Sequence, residues 1–199
     1  MEFFHAGGPI MWPLLLCSIA SVSIVFERIW FWSRIDIIGD TKKIEVFIDN
    51  VSKGKEVHIE NGKCLVLNMV QEGYAHRKGR CSEVMQAIAL DALSKMRHGM
   101  SVLDTVITIA PMLGILGTVL GIISSFDMLG QANIEDPKVV VAGIAEALIT
   151  TATGLTISVA TVFPYNYFNS RMDAAQDAFE NYGTQLEVAL EEFSKKDNL

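Results

Sequence analysis

The stretch VVVAGIAEALITTATGLTISVATVFPYNYFNS, residues 139–170, decides how this chain is read. It carries one formal charge, Glu146, in a run otherwise apolar enough to cross a bilayer. Placing an ionisable group in a membrane helix costs roughly 2.5–3.5 kcal/mol on insertion scales, so such a group faces protein or water and marks ion or proton traffic. At a helical repeat of about 100° per residue, Ala142, Gly143, Glu146, Thr150, Thr153, Ile157 and Thr161 gather along one stripe. Ala147, Gly154 and Ser158 flank it, while Val140, Ile144, Leu148, Leu155, Val159 and Val162 face elsewhere. One carboxylate among several hydroxyls is the composition of a hydrated seam, in which the hydroxyls hold water and the acid gains or loses a proton. The plain alternative is a neutral acid making a helix–helix hydrogen bond, with the threonines packed beside it.

Two more runs are almost free of charge, Phe3–Phe26 and Thr105–Phe126. Each meets the requirement of about 20 mostly apolar residues for crossing a hydrocarbon core of about 30 Å. Hydrophobic residues make up 50% of the chain and charged residues 20%, which agrees with a membrane protein. The first run reads as an uncleaved span and not a secretory signal. No Lys or Arg precedes it, no small-x-small site ends it, and Glu27, Arg28, Trp30 and Trp32 follow at once as an interfacial belt.

Lys and Arg fix the orientation. Arg28, Arg34, Lys42, Lys43, Lys53, Lys55, Lys63, Arg77, Lys78, Arg80, Lys95 and Arg97 lie between the first and second runs, and Arg171, Lys195 and Lys196 follow the third. The N-terminus and the Asp127–Lys138 loop hold only Lys138, so both are expected outside and the long connection and tail inside. The predicted fold class is all-α, a three-span transmembrane protein with long helices extending into the cytosol. Its segments are 1–32 (outer N-terminal segment and first span), 33–101 (cytosolic helical region), 102–127 (second span), 128–138 (short outer loop), 139–168 (third span) and 169–199 (cytosolic C-terminal helix). The net charge of −7 is mostly solvated acid and gives no case for a nucleic-acid partner.

Cys17, Cys64 and Cys81 form no CxxC pair and read as reduced structural thiols. His5, His58, His76 and His98 have no metal-ligand spacing, so neither metal nor cofactor is implied. In the cytosolic region Ile44, Phe47, Ile48 and Val51 follow the i, i+3, i+4, i+7 pattern. Asp40 or Thr41 is placed to cap the start and Gly54 to end it, giving an amphipathic helix expected to pack on neighbouring helices. A second helix is expected over Gly62–Glu72. A third is capped by Ser82, runs through Met85, Ile88, Ala92 and Met96, and continues directly into the second span as one long rod.

In that second span Pro111, Gly114, Gly117, Thr118, Gly121 and Ser125 share one face, and Gly143 and Gly154 supply small positions on the third. Where apolar burial no longer drives association, small residues let helices approach closely, so these faces read as packing surfaces. Pro111 lacks a backbone donor and is expected to kink its helix near the cytosolic end. Thr118 alone reads as a hydroxyl bonded back to a carbonyl one turn earlier.

Three motifs, IAPMLGILGTVLGII from Ile109, GIAEALITTATGL from Gly143 and Tyr165-Asn166, resemble the signature regions of the ExbB/TolQ proton-channel family, related to MotA. The resemblance is dense over the second and third spans, and Phe26-Glu-Arg-Ile fits in the first. Three spans instead of four separate the chain from MotA itself. The resemblance implies a homopentamer around a central pore that holds single-span ExbD/TolR-like partners, each with a membrane Asp. It implies residence in the bacterial inner membrane, N-terminus periplasmic and C-terminus cytoplasmic. Proton passage would then drive work on a TonB- or TolA-like periplasm-spanning protein. The family's proton-pathway residues fall on Glu146, Thr118 and Thr151; Thr150 belongs to the stripe read above. Thr151 sits well round the helix from Glu146, so its role calls for a neighbouring subunit or a local distortion. The family's frequent proline six residues beyond Gly154 is Ala160 here, and Pro164 follows instead.

Two other function classes compare as follows. A non-conducting scaffold for a single-span partner would use the same small faces but tolerate Glu146→Gln. An enzyme is disfavoured, since no Ser-His-Asp set, metal cluster or phosphate-cradling loop occurs at a common depth. The process energised is left open between nutrient import, envelope maintenance, and export or gliding.

Overall fold

The structure is a computed structural model that describes residues 8–37, 39, 41–55, 64–131 and 137–197. Its helices are α1 (Met11–Arg34), α2 (Thr41–Ser52), α3 (Leu65–Ala75), α4 (Cys81–Arg97), α5 (Met100–Gln131) and α6 (Pro137–Asp197). The all-helical reading holds, and three helical stretches, Met11–Arg34, Cys81–Asp127 and Gly143–Lys195, are long and apolar enough to cross a membrane. The chain divides into two compact units. One comprises Met1–Ile29 and Gly99–Tyr167, the other Trp30–His98 and Phe168–Leu199.

The first unit gathers α1 as far as Ile29, all of α5 and α6 as far as Tyr167. Met11 and Leu14 of α1 pack with Val106 and Ala110 of α5, and Cys17 and Ile157 close the cluster. Large side chains point away from this interior: Trp12, Leu16, Phe26, Met112, Ile115, Phe126, Leu148 and Phe163 are all exposed. Small and hydroxylated ones point in, with Ser21, Ser125, Ala147, Thr150, Ser158 and Thr161 all buried. That inversion is the signature of helices solvated by lipid, where close backbone approach replaces burial of bulk.

The second unit is packed in the ordinary aqueous way. Ile44, Phe47, Ile48 and Val51 are the buried residues of α2, as their spacing predicted. Val66, Met69 and Val70 of α3, Met96 of α4, and Phe179 and Leu186 of α6 are likewise buried, all of them large apolar side chains. Phe47 meets Tyr74 edge to face with ring centroids 5.8 Å apart. Gly54 ends the α2 region with φ +66 and its amide bonded to Val51 O at 3.1 Å. Asp40, one of the two expected caps, lies outside the described residues.

Three expectations for this region are corrected. The second helix of this region, expected over Gly62–Glu72, is described as Leu65–Ala75, with Gly62 and Lys63 outside the described residues; Cys64 caps its start, the Leu67 amide donating to Cys64 Sγ at 3.4 Å. The thiol itself donates to Ile37 O at 3.3 Å, and burial pushes its pKa above the ordinary value, partly offset by the backbone amides that face it. Ser82 is not a cap, since α4 already begins at Cys81 with Arg80 in the capping position and no side-chain capping bond. Nor does the helix expected from Ser82 onward run into the second span without a break. His98 and Gly99 interrupt it, Gly99 with φ +76, a left-handed conformation that closes α4 after the basic turn of Lys95 and Arg97.

Candidate functional site

The site is built where α5 and α6 approach through their glycines. An added Cβ on Gly114 would lie 3.0 Å from the Thr151 Cα, and one on Gly121 would lie 2.9 Å from the Ala147 Cβ. At Gly154 it would strike the Ala110 carbonyl, and at Gly143 the Ser125 hydroxyl. Gly117 leaves the room that Thr150 fills, with its Oγ1 2.5 Å from where a Cβ would stand. All five glycines of the predicted packing faces therefore meet the opposite helix, and each is small because backbone or a short side chain occupies the space.

Pro111 works into the same seam. It lies inside α5 and cannot donate to the carbonyl four residues back, that of Ile107. Ser158 of α6 donates its hydroxyl to Ile107 O at 2.7 Å, so the acceptor freed by the proline is satisfied from the neighbouring helix. Ser21 of α1 joins Thr161 of α6 by a buried hydroxyl pair at 2.7 Å, and Thr161 also donates to Ile157 O at 2.7 Å.

Thr118 and Thr151 meet hydroxyl to hydroxyl across the seam within one chain. This is where the residue that sat awkwardly on the helical projection goes: it faces α5, while Glu146 lies further round α6 and abuts Gly8. Around the pair are two carbonyl acceptors. Thr151 Oγ1 reaches Gly114 O at 2.9 Å, and Thr118 Oγ1 reaches Ala147 O at 3.0 Å and Gly114 O at 3.2 Å. Thr150 Oγ1, fully buried, also donates to Ala147 O at 2.7 Å.

The chemistry of two hydroxyls and these acceptors is specific. If Thr118 donates to Thr151, Thr151 donates to Gly114 O; if the direction reverses, Thr118 donates to Ala147 O. Both directions leave every hydrogen placed, so the pair can invert without breaking its surroundings. Glu146 precedes Ala147 in α6 and is half-buried; among the described residues it has no hydrogen-bond or ion-pair partner. Thr118 and Thr151 are thus brought together, Thr150 is placed against Gly117, and Glu146 stands apart from the hydroxyl pair by about one and a half helical turns of α6.

Sequence reading missed three participants. Ser158 was legible only as a flank residue, though a proline at 111 orphans a carbonyl at 107 and calls for a donor at that depth. Ser21 lies in a run of apolar residues that gives no sign of a partner. Gly8 carries no motif at all.

The model of the MotA/TolQ/ExbB proton channel family matches residues 64–181, from the cap of α3 through both glycine-rich stretches and into the part of α6 that belongs to the second unit. The chain belongs to that family. Among relatives, it is 32% identical over 203 residues to putative biopolymer transport protein ExbB-like 1 of Synechocystis sp., covering 96% of this chain and 79% of the relative. It is 29% identical to the biopolymer transport protein ExbB of Pseudomonas putida, covering 82% of this chain and 55% of that protein. The Tol-Pal system protein TolQ of Haemophilus influenzae is 34% identical over 98 residues, which are 49% of this chain and 43% of TolQ. The MotA/TolQ/ExbB family is a proton channel and transport family and not an enzyme family, and the three long apolar helical stretches of this chain accord with a multi-pass membrane protein. The glycine seam, the hydroxyl pair and Glu146 all lie inside the matched region.

Proposed function

We propose that this MotA/TolQ/ExbB family member is a proton-conducting, stator-like subunit of an inner-membrane energy-transducing complex. Copies of the chain assemble as a pentamer around a pore that holds an ExbD/TolR-like single-span partner with a membrane Asp. Protons enter from the periplasmic side, pass that Asp near Glu146, Thr118 and Thr151, with Thr150 holding the seam beside them, and leave to the cytoplasm. The complex delivers work to a TonB- or TolA-like protein. The N-terminus is periplasmic and the C-terminus cytoplasmic, following the Lys and Arg bias.

The observation that carries this reading is the Thr118–Thr151 pair, whose hydrogen bonds close in either direction, beside a span whose one acid has no described partner to hold it. A fixed structural hydroxyl needs one acceptor; a relay needs two equivalent ones. A scaffold reading draws on different hydroxyls: Thr153, Thr156 and Thr161 each donate to carbonyls of their own helix, at 2.8, 2.7 and 2.7 Å, which is ordinary behaviour for intramembrane threonine.

Glu146→Gln separates the two. Potential-driven proton uptake is measured in proteoliposomes of the complex purified with its single-span partner. The expected result is at least a tenfold loss with unchanged assembly size; full uptake by the amide variant removes Glu146 from the route, and no uptake even by the unmodified complex leaves only the scaffold.

A further inference from the structure

Gly8 opens the first span. Its carbonyl accepts from the Met11 amide at 3.2 Å, and Pro9, which has no amide hydrogen to satisfy, follows it into the first turn of α1. Gly8 has φ +64, a left-handed conformation that side chains with a Cβ rarely adopt. The place where its Cβ would stand is 2.7 Å from Glu146 Oε1 and 3.8 Å from Glu146 Cδ. The carboxylate therefore occupies the space that a side chain at position 8 would fill, just ahead of α1. It enters that space only because position 8 has no side chain.

We infer that Gly8 is a positioning residue for Glu146: the Gly8–Pro9 turn covers the carboxylate from the outer side, and the absent Cβ sets where the acid sits. The inference rests on the reading of Glu146 as part of the proton route. A Cβ at position 8 meets the far end of a flexible side chain, so the carboxylate swings away while the helices stay packed. Proton conduction is then lost through misplacement of the acid and not through unfolding.

The test uses the intact complex in membranes. Dicyclohexylcarbodiimide modification of Glu146 is followed by mass spectrometry, and proton uptake is measured in parallel. Gly8→Ala and Gly8→Asn are both expected to speed Glu146 labelling at least threefold and to cut proton uptake at least fivefold, with assembly size unchanged. Asn tolerates positive φ far better than Ala. A defect in Ala that Asn repairs would thus mean strain in the turn, and would overturn the inference. Should Gly8→Ala fail to assemble, Gly8→Asn carries the measurement. Adding Glu146→Asp to Gly8→Ala withdraws the carboxylate by one methylene and is expected to return labelling to the rate of Glu146→Asp alone. Labelling that rises less than threefold in both single variants overturns the inference, as does faster labelling with normal uptake where Glu146→Gln itself abolishes uptake. Failure of the proton-route reading looks different: Glu146→Gln would conduct normally while the labelling response to position 8 persists.

Discussion

The two units of this chain solve the same packing problem with opposite materials. In the second unit the buried residues are mostly large and apolar, Ile44, Val66, Met69, Phe179 and Leu186 among them. Where α5 meets α6 in the first unit, Gly114, Gly117, Gly121, Gly143 and Gly154 let backbone touch backbone, and the bulk faces outward. Water rewards hiding apolar area, by about 25 cal/mol per Å². Lipid offers no such reward, so cohesion there comes from close contact and from hydrogen bonds between helices. One helix, α6, takes part in both regimes along its length, and its glycines serve opposite ends.

Gly154→Ala is the sharpest way to break that contrast. Its methyl would strike the Ala110 carbonyl, a backbone atom that cannot rotate away, so the loss is expected at about 2–3 kcal/mol in detergent-micelle unfolding titrations. An unchanged titration would mean that the seam is looser than its geometry. Ser158→Ala comes next. It removes the donor to the Ile107 carbonyl and leaves an acceptor unsatisfied in a helix that Pro111 has already deprived of one bond, for an expected loss of about 1–2 kcal/mol in the same titration. Restoring the amide with Pro111→Ala in the Ser158→Ala background should recover most of it. The smallest effect carries the opposite sign. At Gly183, in the aqueous unit, an added Cβ would make only ordinary contact with Met69 Cε at 3.8 Å. Gly183→Ala is therefore expected to stabilise by about 0.5–1 kcal/mol through helix propensity and a less flexible unfolded chain, measured as a higher urea midpoint. A loss at Gly183 as large as that at Gly154 would erase the distinction between the units.

Most of the architecture could be read before any coordinates because periodicity is a strong signal. Ile44, Phe47, Ile48 and Val51 announced both α2 and its buried face, and the charge-free runs announced the spans. What escaped reading depended on atoms far apart in sequence or on weak signals. The stop at Gly99 was available as a glycine after a basic turn, but the apolar pattern on both sides overrode it. Cys64 as a cap could not be foreseen, since sulfur is a poor acceptor and rarely starts a helix. In the candidate site the residue types and the small faces were legible. The partnership of Thr118 with Thr151 was not derivable from either helix alone, because a single-helix projection says which side a residue faces and nothing about what stands opposite.

The Ile107 carbonyl that Pro111 leaves open and the Ser158 hydroxyl that fills it act as a key between two shafts. Advancing either helix by one residue moves its groups by about 1.5 Å along the axis, enough to withdraw the Ser158 hydroxyl from Ile107 O, now 2.7 Å away. The pair consequently resists axial slip, and a load applied to one helix is shared by the other.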